Sequence, residues 1–406
     1  MKHELTRTRQ ISADNTDNLL KNVPALIEKT FPIPQKFKNA LPSDIAELSR
    51  LLTNKRAERS LSYLTRPNFL SAYLYYFMPW NLYRLCLLLP SLDIKLSVGD
   101  AITDFGCGPL TFSSALWIAR PELRKIPLEI NCIDRSGPAL EAGKKFFTAL
   151  CKSTDNIENP AWKINCIKED IDFRKTNKPS KKTRKPASLV CAVNLFNEVY
   201  ENISHNNSEE LKRMAANAAA LMRSEAANDA YILTVEPGVP QSGKFISFLR
   251  DEFIKLGRLP LAPCTHAAAC PFFKGASKIT RGRNWIDTKK RWCHFAFETF
   301  SAPRELLRLS ASARLPKDRL VFSFLLAAER RSKENRGARV ISDAFQLPEN
   351  RFGRYACSER GLILITGERD RIEDLNSFSF IPQNNLIEFS ADKQYDKKSG
   401  AQIMGV

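Results

Sequence analysis

The stretch Ala101-Ile-Thr-Asp-Phe-Gly-Cys-Gly-Pro-Leu-Thr111 contains the clearest structural signal in this chain. Its beginning is a short apolar run typical of a buried strand, and Gly106 and Gly108 follow where a strand would turn into a helix. Glycines at such a turn let the backbone approach a ligand closely, and the start of the following helix favours polar or anionic groups. The stretch therefore predicts a strand–turn–helix unit that binds a ligand.

Strands and helices alternate on the C-terminal side of this unit. The pattern predicts strands at 101–105, 128–134, 162–167, 188–195 and 231–235, separated by helices at 110–119, 138–150, 209–222 and 244–256. Such alternation is typical of an α/β protein with a parallel, doubly wound sheet. We therefore expect a Rossmann-like domain over residues 96–331.

Three further regions surround or interrupt this domain. Residues 1–95 read as helical, with prolines between short segments. A basic insertion rich in cysteine and in loops is expected at 263–319, until a strand resumes near Val321. Residues 332–406 predict a small β-rich C-terminal unit whose polar tail, from Asp392, is expected to be frayed.

Composition limits the classes of function. The chain has 406 residues, of which 43% are hydrophobic and 26% charged, which excludes fibrous and wholly disordered proteins. Lys and Arg number 62 against 44 Asp and Glu, so the formal net charge is +18. An excess of this size favours a polyanionic partner, nucleic acid first and an anionic membrane second.

The sequence offers little to suggest a membrane segment. The apolar stretch 69–92 carries a single charge, Arg84, and Pro79 divides it into halves too short for a span of roughly 20 residues. The first residues also lack the apolar core of a secretory signal. We expect a cytoplasmic protein with no membrane association.

The residues around the glycine turn indicate which ligand it binds. A dinucleotide fingerprint would have a third glycine at the position of Thr111, and Asp104 precedes the turn. Both features favour S-adenosyl-methionine over NAD, with the acidic residue near the methionine end. Asp134 ends the second strand, 26 residues after Gly108, where a carboxylate would accept the ribose hydroxyls.

The next two strand ends extend the same edge, because nucleotide-type ligands lie across the carboxyl ends of parallel strands. Asp170 is a candidate adenine contact, and Asn194 would face the position of methyl transfer. Asp134 and Asp170 could equally be turn residues without function. No proline-rich acceptor motif follows Asn194, so this residue is only a weak catalytic candidate. Cys191 lies in the middle of a predicted strand and is interpreted as a buried core thiol. The catalytic residues are therefore unknown.

Four of the ten cysteines form a second candidate site. Cys264 and Cys270 are separated by five residues in a loop, and Cys293 lies nearby in sequence. Thiolates suit zinc or an iron–sulfur cluster, and a cubane cluster needs four ligands. His266, His294 or Cys357 could complete the set, and free thiols in a loop are the alternative.

Basic residues are concentrated in runs, and three such runs on a chain of this charge favour contact with phosphate groups. They contain no base-reading motif, so RNA would be recognised through its backbone and shape. The candidate RNA-binding residues are Lys181, Lys182, Arg184, Lys185, Arg281, Arg283, Lys289, Lys290 and Arg291, and a third run spans 330–339.

Four motifs together resemble one known family. They are Val235-Glu-Pro-Gly238, Ala262-Pro-Cys264 through Cys270-Pro271, Trp292-Cys-His-Phe295 and Phe322-Ser-Phe-Leu325. The chain resembles, over about 63–366, the mitochondrial small-ribosomal-subunit assembly methyltransferase-like family, which includes methyltransferase-like protein 17 and its bacterial relatives. Leu110 departs from the family, since many members have a third glycine there.

The resemblance implies a Rossmann-like domain dependent on S-adenosyl-methionine and a [4Fe–4S] cluster, with zinc as the alternative metal. It implies Cys264, Cys270 and Cys293 as ligands, with Cys357 of the C-terminal unit as the fourth. The implied partner is the small ribosomal subunit with its ribosomal RNA, in mitochondria if the source is eukaryotic. The protein would methylate or bind this RNA during assembly or translation, as a monomer. The alternative is an RNA-binding assembly factor without catalysis, in which the metal is structural.

Overall fold

The computed structural model describes residues 13–53, 63–155, 160–173, 184–200, 207–272, 292–329, 337–375, 378–382, 395–396 and 401–405. Its first part is helical, as the sequence predicts. A layer of five helices contains α1 (Ala13–Thr30), α2 (Gln35–Lys38), α3 (Leu41–Thr53), α4 (Pro67–Ala72) and α5 (Met78–Leu88). A π-helical segment, Tyr73–Phe77, joins α4 to α5.

The central sheet begins with five parallel strands, so the predicted doubly wound order is confirmed. Its order is β3-β2-β1-β4-β5-β8-β6, and β7 pairs with β8. Strand β8 is antiparallel to β5, β6 and β7. The strands are β1 (Ala101–Phe105), β2 (Leu128–Asp134), β3 (Trp162–Lys168), β4 (Ala187–Val193), β5 (Ala226–Pro237), β6 (Leu259–Ala262), β7 (Phe295–Glu298) and β8 (Arg319–Ala328).

Helices cover both faces of this sheet, because side chains that alternate along each strand enter two different cores. On one face, Ile102 and Leu233 pack with the N-terminal layer, α6 (Thr111–Ala119) and α7 (Gly137–Asp155). On the other face, Val190 and Ile232 pack with α9 (Ser208–Glu225) and α10 (Pro240–Lys255). The short helix α8 (Phe196–Val199) follows β4 at the carboxyl edge.

A second sheet contains the C-terminal strands, in the order β13-β9-β11-β12-β14, with β10 paired to β11. Its core is formed by short aliphatic side chains, among them Val340, Ile363 and Ile365. The elements are β9 (Gly337–Val340), β10 (Phe345–Gln346), β11 (Phe352–Ser358), β12 (Gly361–Gly367), α12 (Arg369–Glu373), β13 (Phe380–Pro382) and β14 (Gln402–Gly405).

The structure differs from the sequence prediction in two places. The stretch expected to be loop-rich, 263–319, contains β7 and helix α11 (Arg304–Ser312). Strand β7 pairs with the edge of β8 opposite β5, and β6, just before the stretch, pairs farther along the same edge. The prediction of a frayed tail is wrong for residues 402–405, since β14 pairs with β12 and buries Met404. No described helix is long and apolar enough to cross a membrane.

Candidate functional site

The glycine turn follows β1 and has the backbone conformation that the two glycines allow. Gly106 has φ of +63° and Gly108 of +53°, in the left-handed region that favours glycine. A Cβ atom on Gly106 would lie 2.5 Å from Cδ1 of Leu195, so any side chain there would collide with the loop after β4. Leu110 also has a positive φ, +55°.

Asp134, at the end of β2, is held against this turn. Its Oδ2 atom accepts a hydrogen bond of 2.8 Å from the backbone N–H of Gly108, and Oδ1 accepts one of the same length from Ser136. Burial raises the pKa of Asp134, and the two N–H donors oppose that shift. Each oxygen keeps a second acceptor position, so the carboxylate can still receive the two hydroxyls of a ribose.

Asp104 lies fully buried in β1 between two cysteines, since its register partners are Cys132 on β2 and Cys191 on β4. Its Oδ1 atom accepts a hydrogen bond from the Cys191 thiol at 3.4 Å, while Oδ2 has no partner among the described residues. Burial raises the pKa of Asp104 to about 8. The side chain therefore holds a proton at neutral pH, and a cationic group nearby would favour its ionisation.

Asn194 begins the loop after β4 and has φ of +54°. Its N–H donates to the carbonyl of Val235, and its side-chain oxygen accepts a hydrogen bond of 2.8 Å from Arg84. The next residues continue into α8, whose first N–H groups, from Phe196 and Asn197, donate to the buried carboxyl of Glu236. Burial raises the pKa of Glu236 to about 8 despite these donors. The loop is thus fixed from both sides.

The N-terminal layer contributes residues to this edge that no sequence motif predicts. The hydroxyl of Tyr73 lies 3.9 Å from the position that a Cβ on Gly108 would take. Burial raises the pKa of Tyr73, and the carboxylates of Glu198 and Asp134 add to the shift. Glu198, on α8, accepts hydrogen bonds from Tyr63 at 2.9 Å and from Arg135 at 3.3 Å. The one available signal was the single charge, Arg84, in an apolar stretch.

The structure separates the remaining residues predicted at this edge. Asp170 is exposed just after β3, beyond Asp134 along the edge. Its neighbour Glu169 pairs with Arg184, which also forms a bidentate ion pair with Glu225. Because two carboxylates occupy the Arg184 guanidinium, this residue is a poor candidate for phosphate contact. The predicted ligand residues Asp104, Gly106, Gly108, Asp134 and Asn194 do come together around the carboxyl ends of β1, β2 and β4.

The four cysteines also converge, although they lie on separate elements. Cys264 and Cys270 follow β6, Cys293 precedes β7, and Cys357 is on β11 of the second sheet. Burial raises the pKa of the Cys357 thiol, and the charges of the other three cysteines raise it further. The His266 ring nitrogen Nε2 is 3.3 Å from the Cys357 sulfur.

Two arginines order the backbone around the cysteines. The buried Arg250 of α10 donates to the carbonyls of His266 and Ala268, at 2.8 and 2.7 Å. Arg339 of β9 donates to the carbonyl of Pro263 at 3.3 Å. Both arginines lie close enough to lower the pKa of the Cys293 thiol against the effect of burial. The arginines offset only part of the effect of burial, which still raises the pKa of Cys293 above its ordinary value.

The expected metal site is not preformed for a single ion. Within the ranges that the structure describes, no three or more His, Cys, Asp or Glu side chains are arranged to hold one metal ion. Tetrahedral zinc would need its sulfur atoms at about 2.3 Å from one centre. Among the described residues, the structure therefore shows no metal site at the four cysteines.

Most of the candidate RNA-binding residues lie outside the described part of the chain. They are Lys181, Lys182, Arg281, Arg283, Lys289, Lys290 and Arg291. Lys185 is exposed beside β4 and donates to the carbonyl of Gly99. Arg339, in the third basic run, donates hydrogen bonds to the carbonyls of Pro263 and Phe378.

The sheet order, the glycine turn and the carboxylate of Asp134 define a Rossmann-like α/β protein with a glycine turn at the carboxyl edge of its sheet. The sequence model of one family, described as mitochondrial small ribosomal subunit Rsm22, matches residues 72–351. The chain belongs to this family. The resemblance inferred from the cysteine and aromatic motifs is therefore confirmed. A comparison with curated proteins finds no match.

Solved structures similar to this chain include several methyltransferases. One is described as a class I S-adenosylmethionine-dependent methyltransferase of Listeria monocytogenes, with 10% identity, 79% of this chain and 89% of that chain covered, and a TM-score of 0.35. Another is the plantazolicin methyltransferase BpumL in complex with SAH, with 17% identity, 79% and 100% covered, and a TM-score of 0.27. Similarity this low does not assign a ligand or a reaction to the chain.

Proposed function

We propose that this protein is an S-adenosyl-methionine-binding factor of the small ribosomal subunit that acts on or binds ribosomal RNA during assembly or translation. The observation that carries the proposal is the Asp134 carboxylate held by the Gly108 N–H at the carboxyl edge of the sheet, in a chain of a small-ribosomal-subunit family. The protein would act where such subunits are made, in the bacterial cytoplasm or in mitochondria.

The residues at this edge fit the ligand. Bound S-adenosyl-methionine would supply an electrophilic methyl group. Asp134 would accept its ribose hydroxyls, and Asp170 would lie at the adenine end. Asp104, whose Oδ2 has no partner among the described residues, would face its cationic groups. Asn194 would lie near the methyl group. The two glycines keep this surface free of side chains.

Calorimetry with S-adenosyl-homocysteine tests the binding. We expect binding by the wild type and loss of at least about tenfold in Asp134→Asn, since one carboxylate with two hydroxyl partners contributes well over 1.4 kcal/mol. Asp93→Asn, which changes an exposed residue, is the control. Absence of wild-type binding at millimolar ligand would refute an adenosyl-methionine site.

A second candidate is an assembly factor without methyl transfer. It is favoured by one contact, because the Asn194 side chain, the only catalytic candidate from the sequence, is already bonded to Arg84. Incubation of the protein and labelled S-adenosyl-methionine with small-subunit RNA distinguishes the candidates. Label that enters the RNA with wild type but not with Asp134→Asn supports the enzyme, and its absence beside measurable ligand binding supports the assembly factor.

We further propose that Cys264, Cys270, Cys293 and Cys357 hold a [4Fe–4S] cluster. Thiolates are the ligands such clusters need, and a cubane with four thiolates is anionic, which the neighbouring Arg250 and Arg339 would stabilise. The cluster would link the loop after β6 to β11 of the second sheet. Thr265 already makes one such link, through its hydroxyl and the Gly337 carbonyl.

Anaerobic purification tests the cluster. We expect a brown protein that absorbs near roughly 400 nm with about four irons per chain. Cys264→Ser should lose colour and iron, whereas Cys166→Ser, an exposed cysteine on β3, should keep both. Stoichiometric zinc without colour would favour zinc as the metal. Wild-type protein that contains neither iron nor zinc would indicate that the four cysteines are free thiols.

The RNA partner is supported by the net charge of +18 and by the family. Binding to small-subunit RNA should weaken steeply between 50 and 200 mM salt, by about 10³-fold or more if six or more phosphates are contacted. Charge reversal at Lys181 and Lys182 should reduce both the affinity and the slope. The same reversal at Lys21 and Lys29, exposed on α1, is the matched control. Binding that does not respond to salt would contradict a phosphate interface.

A further inference from the structure

A polar stripe interrupts the apolar helices that cover the ligand edge. Arg84, the single charge in residues 69–92, donates from Nη2 to Asn81 at 2.9 Å. The Asn81 side chain in turn interacts with the hydroxyl of Tyr73. Tyr73 belongs to the π-helical segment between α4 and α5, and such segments occur frequently at functional sites. We call Tyr73, Asn81 and Arg84 the polar stripe.

The polar stripe faces the carboxyl edge of the sheet. At one end, the Tyr73 hydroxyl lies over Gly108 and near the Asp134 carboxylate. At the other end, Arg84 reaches the side chain of Asn194 at 2.8 Å. The stripe therefore forms a second wall opposite the glycine turn, built from a part of the chain with no ligand motif of its own.

Arg84 keeps donors that the protein does not use. It is only 6% exposed, yet within the described part of the chain both of its hydrogen bonds leave from the same nitrogen, Nη2. Its Nε–H has no partner there. A buried guanidinium with unused donors is costly unless a ligand accepts them. Glu236 lies near enough to favour its charge, but it bonds to backbone N–H groups instead.

We propose that Tyr73 and Arg84 bind the α-carboxylate of the adenosyl ligand. This inference rests on the proposed function. It places the amino-acid end of the adenosyl ligand against the polar stripe. The α-carboxylate is the one anionic group of the ligand. Asp134 and Glu198, the ionisable groups that face Tyr73 from the sheet edge, are acidic and would repel this carboxylate. A guanidinium matches a planar carboxylate, and a phenol hydroxyl adds a further donor.

Two ligands that differ in this group test the assignment. S-adenosyl-homocysteine carries the amino-acid carboxylate, whereas 5′-deoxy-5′-methylthioadenosine lacks the whole amino-acid group but keeps adenine and ribose. By calorimetry, Tyr73→Phe and Arg84→Gln should each reduce the affinity for S-adenosyl-homocysteine by about tenfold, equivalent to about 1.4 kcal/mol. The affinity for 5′-deoxy-5′-methylthioadenosine should stay within about twofold of the wild-type value.

Matched controls separate this role from a structural one. Tyr75→Phe removes a neighbouring hydroxyl that donates to the Phe31 carbonyl. Arg258→Gln removes another buried arginine, which donates to the Ala227 and Ala230 carbonyls instead. Neither control should change the ratio of the two affinities, whatever it does to the thermal stability. If Arg84→Gln does not fold, Tyr73→Phe decides, because it removes one oxygen atom.

Three results would overturn the assignment while leaving the proposed function intact. The first is an equal loss of affinity for both ligands in Tyr73→Phe, which would place the hydroxyl on the ribose. The second is no loss of affinity for either ligand in that variant. The third is equal affinity of the wild type for both ligands. Wild-type protein that binds neither ligand would instead refute the adenosyl-methionine site itself, and the assignment with it.

Discussion

Replacement of Asp104 by asparagine should change how the stability depends on pH. The carboxyl is fully buried in β1, and burial raises its pKa from 3.8 to about 8. In the unfolded chain the pKa returns to about 3.9. Between these two values the folded protein holds a proton that the unfolded chain has lost.

The sign and size of the effect follow from proton linkage. Because the folded state binds more protons, the free energy of unfolding falls as pH rises, by at most about 1.4 kcal/mol per pH unit for one such group. The contribution is complete below about pH 4 and is lost by about pH 8. Between pH 5 and pH 7, the titration of Asp104 should therefore lower the free energy of unfolding of the wild type by about 3 kcal/mol. Glu236, whose pKa is also raised to about 8, adds a loss of the same sign.

Urea unfolding followed by circular dichroism at pH 5, 6, 7 and 8 measures this dependence. Asp104→Asn should lose about half of the wild-type slope, since Glu236 still titrates. Asp93→Asn, at an exposed position, should keep the full slope. Equal slopes in wild type and Asp104→Asn, or a stability that rises with pH, would refute the account of a buried protonated carboxyl.

Three further changes test other parts of the fold. Gly106→Ala should abolish ligand binding measured by calorimetry and cost about 2 kcal/mol of stability, because φ is +63° and the new Cβ meets Leu195 at 2.5 Å; binding within twofold of wild type would contradict the close packing. Arg258→Gln should lower the free energy of unfolding by about 3 kcal/mol in urea titrations, since two carbonyls lose their donor, whereas a change below 1 kcal/mol would mean that water replaces it. Met404→Asp should increase hydrogen exchange in β12 by at least about tenfold, because β14 buries this side chain against it, and unchanged exchange would remove β14 from the second sheet.

The elements that the sequence predicts well are those with local signals. Strands β1 and β2 are short segments rich in apolar residues, followed by a glycine or ending at an aspartate, and the structure places both within a residue of the predicted bounds. Helices α9 and α10 have the apolar repeat of a helix with one buried face. Asp104, Gly106 and Gly108 are recognisable for the same reason, since their spacing within one turn carries the signal.

The elements that the sequence does not predict depend on distant partners. Strands β6 and β7 have four residues each and exist because β8 supplies their hydrogen bonds. Strand β14 likewise requires the free edge of β12. Tyr73 and Glu236 enter the candidate site only because the helical layer and β5 reach the same edge.

The alternation of strands and helices, the glycine turn after β1 and the excess of positive charge can all be read from the amino-acid sequence. Local apolar patterns and the special conformations of glycine are sufficient for these. The contact between Arg84 and Asn194 comes from the tertiary structure, which also places Cys357, one of several candidates in the sequence, beside Cys264, Cys270 and Cys293. These pairs are separated by 64 or more residues, and such contacts form only when the order of the strands and the packing of the helices bring distant segments to one edge.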